Sequence, residues 1–146
     1  RGKISKIKRF NKKFFLIDES YNANPLSVKS AIENFSNIKK NRNKKYFLFG
    51  DMLELGKNSK FLHKRISNII NKSDIDKTFV YGKKSVETYK FLNKNKKGVV
   101  LNNLSSFDDK ISKLLKNGDF LMIKASNAMK LHKLSKKLLE GRTNAL

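Results

Sequence analysis

Cysteine and tryptophan are absent from this 146-residue chain, proline occurs once, and acidic residues number 12 against 34 lysines and arginines. Without cysteine there is no disulfide and no thiolate metal site, and a reducing compartment is allowed without being required. No apolar run is long enough to span a bilayer and no secretory leader pattern opens the chain, so a soluble cytoplasmic protein is expected. The start at Arg1, without methionine, suggests a piece of a longer chain. What is present, 38% apolar residues including 11 Phe, suffices for the core of one domain over residues 1–146. No internal repeat, low-complexity linker or domain boundary interrupts it.

A formal charge of +22 raises the question of nucleic acid, because clustered Lys and Arg gain affinity for phosphate backbones by releasing counterions. The lysines are instead spread over nearly every helix and loop, as at Lys39-Lys40, Lys83-Lys84 and Lys136-Lys137. Most of the cations are Lys, whereas base and phosphate recognition leans on the bidentate guanidinium. The composition reads as a proteome bias, and nucleic acid is not the expected partner.

Apolar runs of strand length at residues 14–17, 46–49, 78–81, 99–101 and 120–123 alternate with amphipathic segments. That pattern predicts an α/β fold, a parallel sheet covered by helices. Residues 3–10 supply one more strand, antiparallel at an edge, with Asn11-Lys12 as the turn. The spacing predicts helices over residues 25–38 (Val28, Ala31, Ile32, Phe35, Ile38 inward) and 58–71 (Leu62, Ile66, Ile69). Three more follow over 85–93 (Val86, Tyr89, Leu92), 105–117 (Phe107, Ile111, Leu114) and 127–140 (Leu131, Leu134, Leu138). Gly118 is read as the fourth helix's stop, and residues 142–146 as a frayed tail.

In such a sheet the carboxyl ends of the strands form one rim, where ligands bind. Three strand ends are chemically rich. Residues 18–25 carry Asp18, Glu19, Tyr21 and Asn22, then Asn24 as an N-cap and Pro25 at the first helical position. Residues 50–56 carry Asp51 and Glu54, for which helix capping and reception of an ammonium or ribose hydroxyl are equally good readings. They do not make a phosphate loop. Five residues separate Gly50 from Gly56 where that loop has four, and Asn58 stands where Ser or Thr would hold magnesium. The two glycines are read as serving tight turns. At the third end, Lys124 should emerge beside the N–H groups of Ser126 and Asn127, which suits a carboxylate or phosphate, with capping by Ser126 or Asn127 as the plainer role. His63 and His132 lie within helices, lack partners at metal spacing, and are read as helix-surface residues. No metal site and no Ser-His-Asp or Cys-His grouping can be assembled.

Three stretches in order, Leu16-Ile17-Asp18-Glu19-Ser20-Tyr21-Asn22-Ala23-Asn24-Pro25, Phe49-Gly50-Asp51-Met52-Leu53-Glu54-Leu55-Gly56, and Ile123-Lys124-Ala125-Ser126 with Met129 following, resemble the C-terminal domain of the Mur ligases. They lie closest to the branch that adds D-alanyl-D-alanine. The resemblance implies a Rossmann-like, mostly parallel sheet of about six strands with helices on both faces. It further implies peptidoglycan synthesis by an ATP-dependent ligase: the UDP-N-acetylmuramoyl-tripeptide carboxylate becomes an acyl phosphate, which the amine of D-alanyl-D-alanine attacks. On this resemblance Glu19, Tyr21, Asn22 and Asn24 face the nucleotide and reacting phosphate, and Asp51, Glu54, Lys124 and Ser126 face the amino substrate. ATP and Mg2+ would serve the full-length enzyme. The catalytic lysine and magnesium ligands would lie in a central domain, the in-cis partner missing here, as is a UDP-binding domain. The chain alone should therefore be inactive, with no catalytic residue of its own, and the enzyme monomeric. Two positions depart from the family: Ala125 replaces a common glycine and Asn127 a frequent arginine, for which Lys130 could substitute. Competing readings are a superfamily ligase with another amino substrate, a muramyl or folylpolyglutamate ligase, and a non-catalytic basic α/β module that binds a polyanion.

Overall fold

The computed structural model describes residues 2–143; the expected fraying of residues 144–146 falls outside them. β1 (Ile4–Arg9) and β2 (Lys12–Glu19) form an antiparallel edge hairpin, followed by α1 (Pro25–Asn37), β3 (Lys45–Gly50), α2 (Ser59–Lys72) and β4 (Lys77–Tyr81). α3 (Val86–Lys90), β5 (Lys97–Leu101), α4 (Ser105–Leu114), β6 (Phe120–Lys124) and α5 (Leu131–Leu139) complete the order. The sheet runs β1-β2-β6-β3-β4-β5, parallel apart from the first pair. The chain passes from β2 to β3, moves outward through β4 and β5, and returns to insert β6 between β2 and β3. The direction of winding reverses there, which opens a crevice beyond the ends of those three strands.

β3 and β6 are buried along their whole length, as central strands of a sheet covered on both faces must be. Alternate residues feed two cores. Tyr46, Leu48, Leu121 and Ile123 pack with Phe107 and Ile111 of α4 and with Leu131, Leu134 and Leu138 of α5. Phe47, Phe49 and Met122 pack with Val28, Ile32 and Phe35 of α1 and with Ile66 and Ile70 of α2.

Several local expectations are corrected. The hairpin turns at Phe10 and Asn11, both with φ of 58°, because a two-residue turn matching the strand twist needs positive φ at both positions. α2 turns Ser59, His63, Ile66, Ser67 and Ile70 inward, with Leu62 and Ile69 half-buried. In α3 the buried residue is Thr88, with Val86 and Tyr89 half-buried. α4 stops at Leu114, which is exposed, and Leu115 is buried in its place. The Asp119 carboxylate explains the early stop, since it accepts from the Lys116 and Lys44 N–H groups at 2.8 and 2.9 Å and draws residues 116–119 onto the sheet. Gly118 sits inside that turn at φ 89°. The final helix is broken: residues Asn127–Met129 form a 3-10 turn, and Lys130, at φ 62°, redirects the chain into α5. Arg142 and Thr143 are not frayed. Arg142 bridges to Ile7, and the Thr143 N–H donates to the Lys6 carbonyl at 2.9 Å.

At the end of the sheet away from the rim, Lys45 opens β3 with no exposed surface. Its Nζ donates to both Asp74 oxygens (3.0 and 2.8 Å) and to the Ser36 and Ile38 carbonyls, the saturation a buried ammonium requires. Asp76 accepts from the Lys45 N–H at 2.8 Å and from Lys40 Nζ at 2.9 Å. Burial pulls the Asp76 carboxyl upward, but those two donors outweigh it and hold it below the usual carboxylate range.

A carboxyl whose pKa is lowered by folding adds stability above its unfolded value and loses it as the pH falls through the folded one. Denaturant titrations should therefore show stability declining below about pH 4, with a shallower decline in Asp76→Asn. Gly50 and Gly56 separate two kinds of glycine requirement. A Cβ on Gly50 would stand 2.7 Å from Ala125 Cβ and 2.8 Å from Leu131 Cδ1, whereas Gly56 has open space but φ of 61°. Gly50→Ala should cost about 1–3 kcal/mol through overpacking and Gly56→Ala about 1 kcal/mol through backbone strain, both measurable as shifts in the urea midpoint.

Candidate functional site

The rim is built from the ends of β2, β6 and β3. Asp18 and Glu19 are still strand residues; Asp18 Oδ1 accepts from the Ser20 N–H at 3.1 Å, an Asx turn that starts the loop. Ala23 then drops into the core, leaving Tyr21, Asn22 and Asn24 on the surface. Asn24 Oδ1 accepts from the Ser27 N–H at 2.8 Å while Ser27 Oγ accepts from the Asn24 N–H at 3.0 Å. The Asn24 side chain is thereby a helix cap with Pro25 behind it, and its carbonyl oxygen is engaged within the chain.

Lys124 does not emerge at the rim. It is 2% exposed, the last residue of β6, flanked in register by Glu19 of β2 and Phe49 of β3. Its Nζ lies 3.8 Å from Glu19 Oε1. A central strand encloses even its terminal residue, and the ammonium is balanced by the carboxylate of the neighbouring strand. Ala125, wholly buried, fits against the bare Cα of Gly50. Its φ is not positive, so the glycine of the resemblance is not needed here for backbone freedom, and Gly50 is kept for close approach where a tight turn was expected.

Ser126 joins the loops. Its Oγ accepts from the Leu53 N–H at 3.0 Å and donates to the Ala23 carbonyl at 3.3 Å, while its own N–H donates to the Asp51 carbonyl at 3.2 Å. Neither it nor Asn127 makes a side-chain helix cap. One hydroxyl thus ties the loop after β2 to the loop after β3, with β6 between them.

Asp51 is buried and turned away from Ser126. Oδ1 accepts from the Lys84 and Ser85 N–H groups at 3.1 and 2.7 Å, and the carboxylate rests on Gly82. Its side chain therefore anchors the start of α3, the capping role. Glu54 remains exposed on a left-handed backbone at φ 64°. Glu19, Lys124 and Ser126 are brought together, Tyr21, Asn22 and Glu54 are exposed on the same rim, and Asn24 and Asp51 are committed to holding it.

Of the two histidines read as helix-surface residues, His63 is buried and His132 is half-buried. His63 is fully buried; Nε2 accepts from the Met52 N–H at 3.0 Å, and Nδ1 lies 2.7 Å from the Ser59 carbonyl. Burial pushes its pKa down, against an upward pull from the Ser59 carbonyl and from Asp51. The signal was present in the spacing, since His63 stands three and seven residues before Ile66 and Ile70 on one helical stripe. His132, half-buried at the start of α5, stacks on Tyr21 with centroids 5.6 Å apart, and its Nδ1 is buried without a partner. No helix among the described residues is long and apolar enough to cross a membrane.

The sequence profile described as Mur ligase, glutamate ligase domain, matches residues 6–127. The chain is 32% identical over 129 residues to the UDP-N-acetylmuramoyl-tripeptide–D-alanyl-D-alanine ligase of Bacillus subtilis, covering 86% of this chain and 28% of that protein. It is 37% identical over 138 residues to the enzyme of the same name from Buchnera aphidicola subsp. Baizongia pistaciae, covering 90% and 28%. It thus spans about 28% of the length of these curated relatives. The crystal structure of MurF ligase from Thermotoga maritima in complex with ADP superposes with a TM-score of 0.79 over 97% of this chain and 30% of that one, at 21% identity, a likeness of fold. With the profile spanning most of the sheet and all three rim loops lying in the aligned region, the chain belongs to the Mur ligase family, as its glutamate ligase domain.

Proposed function

We propose that this chain is the C-terminal closing domain of a cytoplasmic, monomeric, ATP-dependent ligase that joins D-alanyl-D-alanine to UDP-N-acetylmuramoyl-tripeptide in peptidoglycan synthesis. The observation that carries the reading is the Ser126 junction, which brings the three loops of the motif set onto one rim. The identity to ligases of that name supports the choice of amino substrate. ATP would supply the phosphoryl group that activates the peptide carboxylate for attack by the incoming amine.

The residues here suit positioning and charge balance. Exposed Tyr21 and Asn22 offer a ring and an amide to a nucleotide, while Glu19 and Lys124 set a nearly neutral local field beneath them. Glu54 would meet the ammonium of the amino substrate from the opposite side of the crevice, with Ser126 fixing the spacing of the two walls. Lys130, exposed at the bend before α5, would face the substrate carboxylate. Among the described residues no three His, Cys, Asp or Glu side chains gather as a metal set, so a magnesium ion accompanying the nucleotide would take its ligands from the rest of the longer protein. The catalytic lysine would lie there too, and the chain alone would be inactive.

In the longer protein, phosphate release from ATP should require both the UDP-linked tripeptide and D-alanyl-D-alanine, with a new amide detected by mass. Equal stimulation by glutamate or a folate substrate would move the chain to another branch of the family, and no stimulation by any of them would end the ligase reading. Tyr21→Ala and Asn22→Ala should each lower kcat by about tenfold or more, as displaced positioning groups do, with the thermal midpoint unchanged in Asn22→Ala, whose side chain is exposed, and slightly lowered in Tyr21→Ala, which loses its stacking on His132. Ser126→Ala leaves the Leu53 N–H without its acceptor, so it should cost about 1–3 kcal/mol of stability as well as rate.

A further inference from the structure

Three consecutive residues after β3 are each fixed by a different element. Asp51 is held by the start of α3, Met52 by His63 of α2, and Leu53 by Ser126 after β6. The middle contact is the one that chemistry can switch. The Ser59 carbonyl, 2.7 Å from Nδ1, can only accept, so Nδ1 carries the proton of the neutral ring. Nε2 is then left with the lone pair that takes the Met52 N–H. Adding a proton at Nε2 would set two donors face to face at 3.0 Å inside a site with no exposed surface.

We propose that His63 is a positioning residue whose neutral imidazole holds the Asp51–Met52–Leu53 segment against Ser126, so that protonation of this one ring releases the wall of the candidate site. The Ser59 hydroxyl also lies near Nδ1, at 3.3 Å, and can accept from the same N–H as the Ser59 carbonyl. Asp51 faces the imidazole from the loop, Lys84 and Glu87 act on it from the turn before α3 and from α3, and the Phe49 ring of β3 lies 6.0 Å away. Thr88 Oγ1 donates to the His63 carbonyl and fixes the helix from the same side. The two carboxylates favour the imidazolium and Lys84 opposes it, but burial is the largest influence and keeps the ring neutral. The folded pKa being below the ordinary 6.5, the neutral ring's contribution to stability is complete above 6.5 and is lost as the pH falls through the folded value.

The role of His63 in ligation rests on the function proposed above; its hold on the loop does not. The test is a pH titration of this chain followed by 15N–1H spectra, reading the His63 ring nitrogens and the Met52 and Leu53 amides, with Gly118 at the far end of the sheet as reference. The ring should be protonated at Nδ1 alone at pH 7.5, and both amides should shift with the ring at a common midpoint below 6.5 while Gly118 stays still. His63→Gln, which keeps an acceptor that does not titrate, should abolish that shared midpoint. His63→Leu should speed exchange of the Met52 amide roughly tenfold or more at every pH, as expected when a protecting bond is lost. If the chain unfolds in acid before the ring titrates, His63→Gln should move the unfolding midpoint to lower pH. Amides that stay fixed while the ring titrates, a shared midpoint surviving in His63→Gln, or an unmoved acid midpoint would each overturn the proposal. In the longer protein, the acid limb of kcat/KM should flatten in His63→Gln; a steep limb there, with the loop shifts abolished, would overturn the role of His63 in ligation and leave its hold on the loop intact, whereas no ligation by the unsubstituted protein would end the function proposed above.

Discussion

The hydroxyl of Ser126 can reach both Ala23 and Leu53 only because β6, the last strand in the sequence, lies between β2 and β3. Hydrogen bonding in parallel register puts Glu19, Lys124 and Phe49 side by side, and the residues that follow must then leave the sheet through a narrow gap. The gap is open because Gly50 lacks a side chain where Ala125 and Leu131 press against it. A larger residue at either contact would push the turn after β6 outward, and Ser126 would lose at least one of its two partners. The rim is therefore a product of close packing before it is a product of polar chemistry.

The second constraint is electrostatic. In a chain with 12 acids against 34 cations, few carboxylates are left to solvation alone. Asp74 and Asp76 saturate the buried Lys45 and its surroundings, Asp119 ends the turn after α4, Asp51 anchors α3, and Glu19 balances Lys124. Asp108 pairs with both Arg9 and Lys137. The lysines, by contrast, mostly project into water, where like charges are screened over about 10 Å at ordinary ionic strength. The excess positive charge is thus carried by the solvated surface, and the scarce negative charge is placed where folding needs an acceptor.

The fold was legible in the sequence wherever periodicity decided it. The five apolar runs are the five parallel strands, and the edge strand at residues 3–10 was recognisable from its Ile and Phe. The strand order was not, because nothing local records that β6 returns to the middle of the sheet. Boundaries failed where tertiary contacts overrode propensity: Asp119 shortens α4, and the left-handed Lys130 breaks the last helix. The site loops were recognisable as loops, but the state of their side chains was not. Reading Lys124 as a rim group treated the strand end as exposed, when its two neighbours extend as far as it does. Reading His63 as a surface residue followed the Leu62, Ile66, Ile69 stripe, one residue away from the true one. A polar residue on an apolar stripe is informative because burial obliges it to have partners, and here those partners are the backbone of a site loop.

The division of labour along residues 18–25 and 50–56 follows from the same physics. Where a side chain is engaged within the chain, as through Asn24 Oδ1, Asp51 Oδ1 and Ser126 Oγ, the residue sets geometry. Where side chains are not so engaged, as in Asn22 and Glu54, ordering has not yet been met by contact, and a ligand or a facing surface gains their interaction energy only by immobilising them; the Tyr21 ring is already held in part by its stacking on His132. Preset residues lower that cost by fixing the backbone beneath the free ones, so the rigid members are as necessary to binding as the exposed ones. The His63 contact to Met52 belongs to the rigid set, and it is the member whose acceptor nitrogen becomes a donor when the ring takes up a proton.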